Sequence, residues 1–209
     1  MRSTIDQQKY DYINKLFAHE SLIQKTIREN IIALGTKQIQ IEAFEGKILQ
    51  TLIKLTKSQK ILEFGTMHGY STSWLAEAID EDGLILTIEK DHHNAEIAAK
   101  NLQSYQNVRV FNIDAKSAEE EIAKSSPFDL VFIDANKSGY QFYFETADRH
   151  LKSGGVIIAD NCIFDDMFSN NQSQLAQTIT SFNEFITTRK DYQSVILPTA
   201  GGLLCCIKL

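Results

Sequence analysis

Apolar side chains recur at spacings of three and four early in the chain, at Ile23, Ile27, Ile31 and Leu34 and again at Ile41, Phe44, Ile48, Leu52 and Leu55. One face of an α-helix repeats every 3.6 residues, so these stripes predict amphipathic helices with one buried side. The first fifty-odd residues are thus expected to be all helical, broken near Gly35. After Lys60 the pattern changes to short apolar runs at Ile61–Phe64, Leu84–Glu89, Val108–Asn112, Leu130–Asp134, Val156–Asp160, Ser194–Leu197 and Leu203–Ile207. Helical patterns lie between the first five: a segment with Trp74, Leu75, Ala78 and Ile79, then Ala95–Leu102, Ala118–Ala123 and Tyr140–Leu151. A further helix is expected at Leu175, Ile179, Phe182 and Ile186.

Strand–helix alternation of this kind predicts an α/β fold, with right-handed βαβ crossovers and a parallel sheet covered on both faces. The central runs LVFI and VIIA are continuously apolar, as strands buried on both sides should be. Pro198–Gly202 is too short for a crossover helix, so the last two strands should pair antiparallel. The expected organisation is one domain: a helical section over residues 1–57 and an α/β core over 58–209. A chain of 209 residues suffices for one well-buried core.

Composition narrows the class. No apolar run approaches the roughly 20 residues that cross a bilayer, and the opening MRSTIDQQKYDYINK lacks an apolar signal-peptide region, so a cytoplasmic protein is expected. Cys162, Cys205 and Cys206 have neither disulfide nor metal-type spacing and read as small apolar residues. The net charge of −6 counts against a broad nucleic-acid surface, although Lys37, Lys47, Lys54, Lys57 and Lys60 could gather into a local basic face.

In open α/β sheets ligands sit beyond the carboxyl ends of the strands. The first end reads Glu63-Phe64-Gly65-Thr66-Met67-His68-Gly69-Tyr70-Ser71, where two glycines allow a tight turn and close approach to a ligand. Its G-x-x-x-G spacing is not that of dinucleotide binders, and any strand-to-helix turn favours glycine. The second strand ends at Glu89, placed to accept ribose hydroxyls, and the third at Asp114, where an adenine amino group would lie. Each acid alone reads more readily as a solvated loop residue or a helix cap. Three acids at successive strand ends suit an adenosine without phosphates and a cationic sulfonium, which favours S-adenosylmethionine (SAM) over a nicotinamide dinucleotide.

The fourth and fifth strands end in Asp134-Ala135-Asn136-Lys137 and Asp160-Asn161. Neighbouring strands lie about 4.8 Å apart, so the clusters converge. Asp134, Asp160 and Asn161 form an all-oxygen set that suits Mg²⁺, with Mn²⁺ or Ca²⁺ as alternatives, and leaves positions open for a chelating diol. Lys137 is placed to act as general base or as partner of a phenolate. The bland alternative makes these acids helix caps and Asn161 a turn residue. His92 and His93 read as solvated, His68 as orienting the glycine turn, and Trp74 and most of Tyr140, Phe142, Tyr143 and Phe144 as core.

Together, Glu63–Ser71, FDLVFIDANK (Phe128–Lys137) and LKSGGVIIADN (Leu151–Asn161) resemble the cation-dependent caffeoyl-CoA and catechol O-methyltransferase family, as do Glu45-Gly46, Phe182-Asn183-Glu184 and the ending LPTAGGLLCCIKL. The resemblance covers nearly the whole chain, most weakly its first thirty-odd residues. It implies a Rossmann-like SAM-dependent methyltransferase fold, a seven-stranded, mostly parallel sheet with an antiparallel last strand, plus N-terminal helices that close the site and often join a homodimer. It implies that Asp134, Asp160 and Asn161 hold the metal, that Lys137 is the base, and that Glu63, Gly65, Ser71, Glu89, Asp114, Ala115 and Asp134 surround SAM. The implied acceptor is a small catechol-like hydroxylated molecule. Asn136 stands where the family has Asp, and Ala200-Gly201 where it has Gly-Asp; both positions are expected near the acceptor. The rival readings are a tRNA 5-hydroxyuridine O-methyltransferase, a nicotinamide-dependent dehydrogenase and a non-catalytic SAM-binding protein.

Overall fold

The computed structural model describes residues 7–35 and 40–209. Three helices come first: α1 (Gln7–Phe17), α2 (Leu22–Ala33) and α3 (Ala43–Thr56). Strands and helices then alternate through β1 (Lys60–Phe64), α4 (Tyr70–Ala76), β2 (Leu84–Glu89), α5 (His92–Asn101), β3 (Val108–Asn112), α6 (Glu119–Ser125), β4 (Phe128–Ile133), α7 (Tyr140–His150) and β5 (Leu151–Ala159). The chain closes with α8 (Gln174–Thr188), β6 (Tyr192–Leu197) and β7 (Leu203–Lys208).

The seven strands form one sheet in the order β3-β2-β1-β4-β5-β7-β6, with β7 antiparallel to both its neighbours. The chain moves outward from β1 to β3 on one side and from β4 onward on the other. Strand order therefore reverses between β1 and β4, where Phe64 lies opposite Ile133 and also opposite Ile88 of β2. Loops diverge at such a point and leave a crevice above the strand ends.

Period-two alternation sorts each strand into two cores. Leu62, Phe64, Leu86, Ile88, Val131 and Ile133 face α6, α7 and α8, where Ile122, Phe144, Ile179 and Phe182 are buried. Ile61, Ile85, Leu130, Phe132 and Ile158 face the opposite layer of α2, α3 and α4. There Trp74 is fully buried against Gly46, where an added Cβ would stand 2.4 Å from the indole. A capping box fixes the start of α2: Ser21 Oγ accepts from Gln24 N at 3.3 Å, and Gln24 Oε1 accepts from Ser21 N at 2.8 Å. The three cysteines are buried and free, as their reading as small apolar residues expects.

Several element boundaries differ from the sequence reading, and those of β4 and β5 bear on the site. β5 begins at Leu151, where the end of a helix is expected, because Leu151 pairs with Phe128 before the register slips. Exposed Lys152 and Ser153 and the Gly154-Gly155 pair hide this part of the strand from an apolar pattern. At the other end, β4 and β5 stop at Ile133 and Ala159, one residue early, so Asp134 and Asp160 stand just beyond the sheet.

Candidate active site

A cavity of about 760 Å³ lies over the carboxyl ends of the central strands. Its floor is the turn between β1 and α4. Gly65 has φ +95°, and a Cβ there would lie 2.1 Å from the Asp134 carbonyl oxygen, so only glycine fits between β1 and β4. Gly65 N donates to Ile88 O at 3.0 Å and Asp134 N to Phe64 O at 2.9 Å, drawing three strand ends together.

Of the residues expected around SAM, Gly65, Ser71, Glu89, Asp114, Ala115 and Asp134 line this cavity. Glu63 does not. Alternation turns it to the face of Ile61 and Thr87, where it is fully buried and accepts hydroxyl hydrogen bonds from Ser71 at 2.6 Å, Thr72 at 2.5 Å and Thr87 at 2.6 Å. Burial pushes its carboxyl up to about 7 against the pull of those three donors. Glu63 is therefore a strut beneath the turn, and Ser71 spends its hydroxyl proton on that strut.

Glu89 accepts from Met67 N at 2.8 Å and Asp91 N at 2.9 Å, which fixes its carboxylate while leaving lone pairs on both oxygens. Asp114 accepts from Lys116 N at 2.8 Å as the cap of a short turn over Ala115–Ser117. His68 is buried in the cavity wall with Nε2 3.2 Å from Asn94 Oδ1, and its backbone carbonyl accepts from Asn101 at 2.9 Å. That agrees with a role in orienting the turn, and burial lowers its pKa.

At the opposite end, the structure brings Asp134, Lys137, Asp160 and Asn161 together. Lys137 Nζ donates to Asp134 Oδ1 at 3.2 Å and to the Tyr140 hydroxyl, which donates onward to the Asp160 carbonyl oxygen at 2.7 Å. Asp160 is 1% exposed, and its Oδ1 has no hydrogen-bond partner. Asn161 adopts φ +53°, a left-handed conformation that asparagine tolerates, and it lines the cavity. Burial raises the Asp134 carboxyl despite Lys137; burial and the nearby Asp134 and Glu45 carboxyls raise Asp160 well above the ordinary range.

Sequence reasoning missed several residues here. Glu45, quoted above only for a family likeness, caps α3 by accepting from Glu42 N at 2.9 Å. Its other oxygen is buried without a partner, and burial with the nearby acids raises its pKa. Tyr140 reads as core, and its ring is, yet its hydroxyl belongs to the site. Ile31 and Gln40 from the N-terminal section, and Phe164 and Leu175 from the opposite side, complete the wall.

The two departures from the family pattern have structural neighbours. Asn136 donates to Ser138 Oγ at 2.8 Å and accepts from the Tyr143 hydroxyl, so it braces the cavity wall. A Cβ at Gly201 would stand 2.6 Å from Asn161 Nδ2. Position 201 thus abuts an expected metal ligand. In the supposed basic face, Lys54 faces Asp80 at 3.7 Å and Lys47 lies 5.3 Å from the Trp74 ring centre; Lys37 lies outside the described residues.

Among the described residues, no group of three or more His, Cys, Asp or Glu side chains stands in ligating geometry. The expected trio contains only two such residues, its third being an amide. The residues still fit a hard cation: the donors are all oxygen, and one carboxylate oxygen is buried without a partner.

The sequence profile of an O-methyltransferase family matches residues 14–209. A catechol O-methyltransferase of Niastella koreensis is 30% identical over 208 residues, covering 96% of this chain and 94% of that one. A caffeoyl-CoA O-methyltransferase of Populus kitakamiensis is 28% identical, covering 79% of this chain and 76% of its own. The crystal structure of an O-methyltransferase from Bacillus cereus in complex with SAH superposes with a TM-score of 0.86 at 28% identity, over 95% of this chain and 96% of that one.

Proposed function

The chain belongs to the O-methyltransferase family and is a SAM-dependent O-methyltransferase; from that premise we propose that it requires a divalent cation and methylates a hydroxyl of a small, catechol-like acceptor. The observation that carries this reading is the oxygen-only group of Asp134, Asp160 and Asn161, with Asp160 Oδ1 buried and unpartnered. A buried, unpaired carboxylate is costly, and among the described residues Lys137 is the cation set against a cluster of Asp134, Asp160 and Glu45. Asp134, Asp160 and Asn161 would hold the cation.

When bound, a divalent cation supplies Lewis acidity that lowers the pKa of an acceptor hydroxyl from its free phenolic value of about 10. Lys137 takes the acceptor proton at Nζ, held within reach of the same place by Asp134. Methyl displacement at a sulfonium then depends chiefly on alignment. The Glu89 carboxylate, fixed by two backbone N–H groups, anchors the ribose end, while Asp114 and Ala115 border the adenine end. The names of the catechol and caffeoyl-CoA relatives support a vicinal diol as acceptor.

Labelled SAM offered with catechol, caffeate-type esters and unmodified tRNA tests the acceptor class. Methyl transfer to diols and not to tRNA is expected. Transfer to tRNA alone would overturn the small-molecule reading.

A further inference from the structure

The polarity of hydrogen bonds around Tyr140 is fixed by its neighbours. Its hydroxyl has one hydrogen, and the Asp160 carbonyl, 2.7 Å away, can only accept it. Toward Lys137 the hydroxyl must therefore act as acceptor. Nζ is tetrahedral, with Cε at one corner; Asp134 Oδ1 and the Tyr140 oxygen take two more, which leaves one corner for the acceptor.

We propose that Tyr140 is a positioning residue for Lys137: its hydroxyl, anchored on the Asp160 backbone, holds one N–H of Nζ and turns the remaining corner of that nitrogen toward the cavity that Lys137 lines. This rests on the reading of Lys137 as general base. In the step served, the acceptor O–H bond breaks, a new N–H bond forms at Nζ, and the electron pair stays on oxygen. Rigidity supports the assignment. The Tyr140 ring is 1% exposed and packs edge-on against Phe182 at 5.5 Å, so the hydroxyl cannot swing away. A flexible four-carbon stem gains a fixed end from such a contact. The anchoring carbonyl belongs to Asp160, so base and expected cation ligand share one registered unit.

The test is a double-mutant cycle with Tyr140→Phe and Lys137→Ala, measured as single-turnover methyl transfer to the best acceptor found with labelled SAM. Tyr140→Phe keeps the ring and should slow transfer by about 10–100-fold in the wild-type background, the scale of a misplaced reacting group. In the Lys137→Ala background it should cost nothing further. Equal losses in both backgrounds would show that the hydroxyl acts through the fold, and would overturn the inference. Loss in Lys137→Ala beside full activity in Tyr140→Phe overturns positioning alone. Near-normal rates in Lys137→Ala overturn the base role and positioning with it. A readout independent of turnover is the Nζ resonance in ¹⁵N-lysine-labelled enzyme, assigned by its loss in Lys137→Ala. Slow hydrogen exchange should mark Lys137 in the wild type and vanish in Tyr140→Phe; an unchanged resonance contradicts the hydrogen bond.

Discussion

In the proposed mechanism Lys137 and Glu89 serve one reaction in different ways. Lys137 would act at the proton, so Lys137→Ala should lower kcat by about 10²–10⁴-fold while SAM affinity changes little. Raising the pH, or using a more acidic nitrocatechol, should recover part of the loss because less help is then needed to ionise the hydroxyl. Near-normal kcat at neutral pH would reduce Lys137 to a packing residue. Glu89, in its proposed place on the ribose, would touch a part of SAM that does not react, and uniform binding of that kind appears in KM. Glu89→Gln keeps acceptors for Met67 and Asp91 yet removes the charge, so SAM binding should weaken by about 1.5–3 kcal/mol with kcat at saturation nearly intact. Calorimetry that finds unchanged affinity would refute the ribose role. Glu63 is the residue expected around SAM that does not line the cavity. In a strand apolar on both faces, alternation says that Glu63 opposes Phe64 but not which of the two faces the ligand.

Among the elements, the turn after β1 has the least freedom. Gly65→Ala would drive a Cβ into the Asp134 carbonyl at a positive φ, so it should cost more than about 1 kcal/mol of stability and most SAM binding. Normal SAM affinity in that variant would contradict the tight junction of β1 and β4. Far from the site, Asp148 of α7 ties together the end of α8, β6 and β7. Burial alone would raise its carboxyl, but hydrogen bonds from Lys208, Arg189 and Tyr192 outweigh it and bring it to about 2. In an unfolded chain an aspartate titrates near 3.9. The folded value is the lower one, so this group stabilises the fold fully above about pH 5 and loses its effect as pH falls toward 2. Asp148→Asn should therefore cost about 1–2 kcal/mol at pH 7, allowing for solvent screening, and the gap to wild type should narrow below pH 4. A gap independent of pH would assign the loss to packing.

At the scale of the molecule, seven strands and their order of direction were legible because buried strands are short apolar runs closed by acids and glycines. The strand ends also brought Asp134, Lys137, Asp160 and Asn161 into view, since a sheet converts separated sequence positions into neighbours. What sequence could not supply was contact across layers. Tyr140 and Glu45 sit in helical stripes or caps whose local reading is complete, and only packing shows an oxygen facing the site. The start of β5 was hidden because its first residues are polar and exposed. A cavity built by residues from both halves of the chain also means that ligand binding should stabilise the whole fold. At one hundred times its Kd, SAM or SAH should add about 2.7 kcal/mol, or about 5–11 °C in Tm for a domain of this size.

The central claim is that transfer depends on a divalent cation held by Asp134, Asp160 and Asn161. It is tested most directly by the rate of methyl transfer to a diol acceptor in EDTA-treated, desalted enzyme as Mg²⁺ is added back. The account predicts negligible transfer without added cation, saturable recovery with it, and no recovery in folded Asp160→Ala at the same concentrations. Full activity in the chelated enzyme, unchanged by added Mg²⁺, would contradict it.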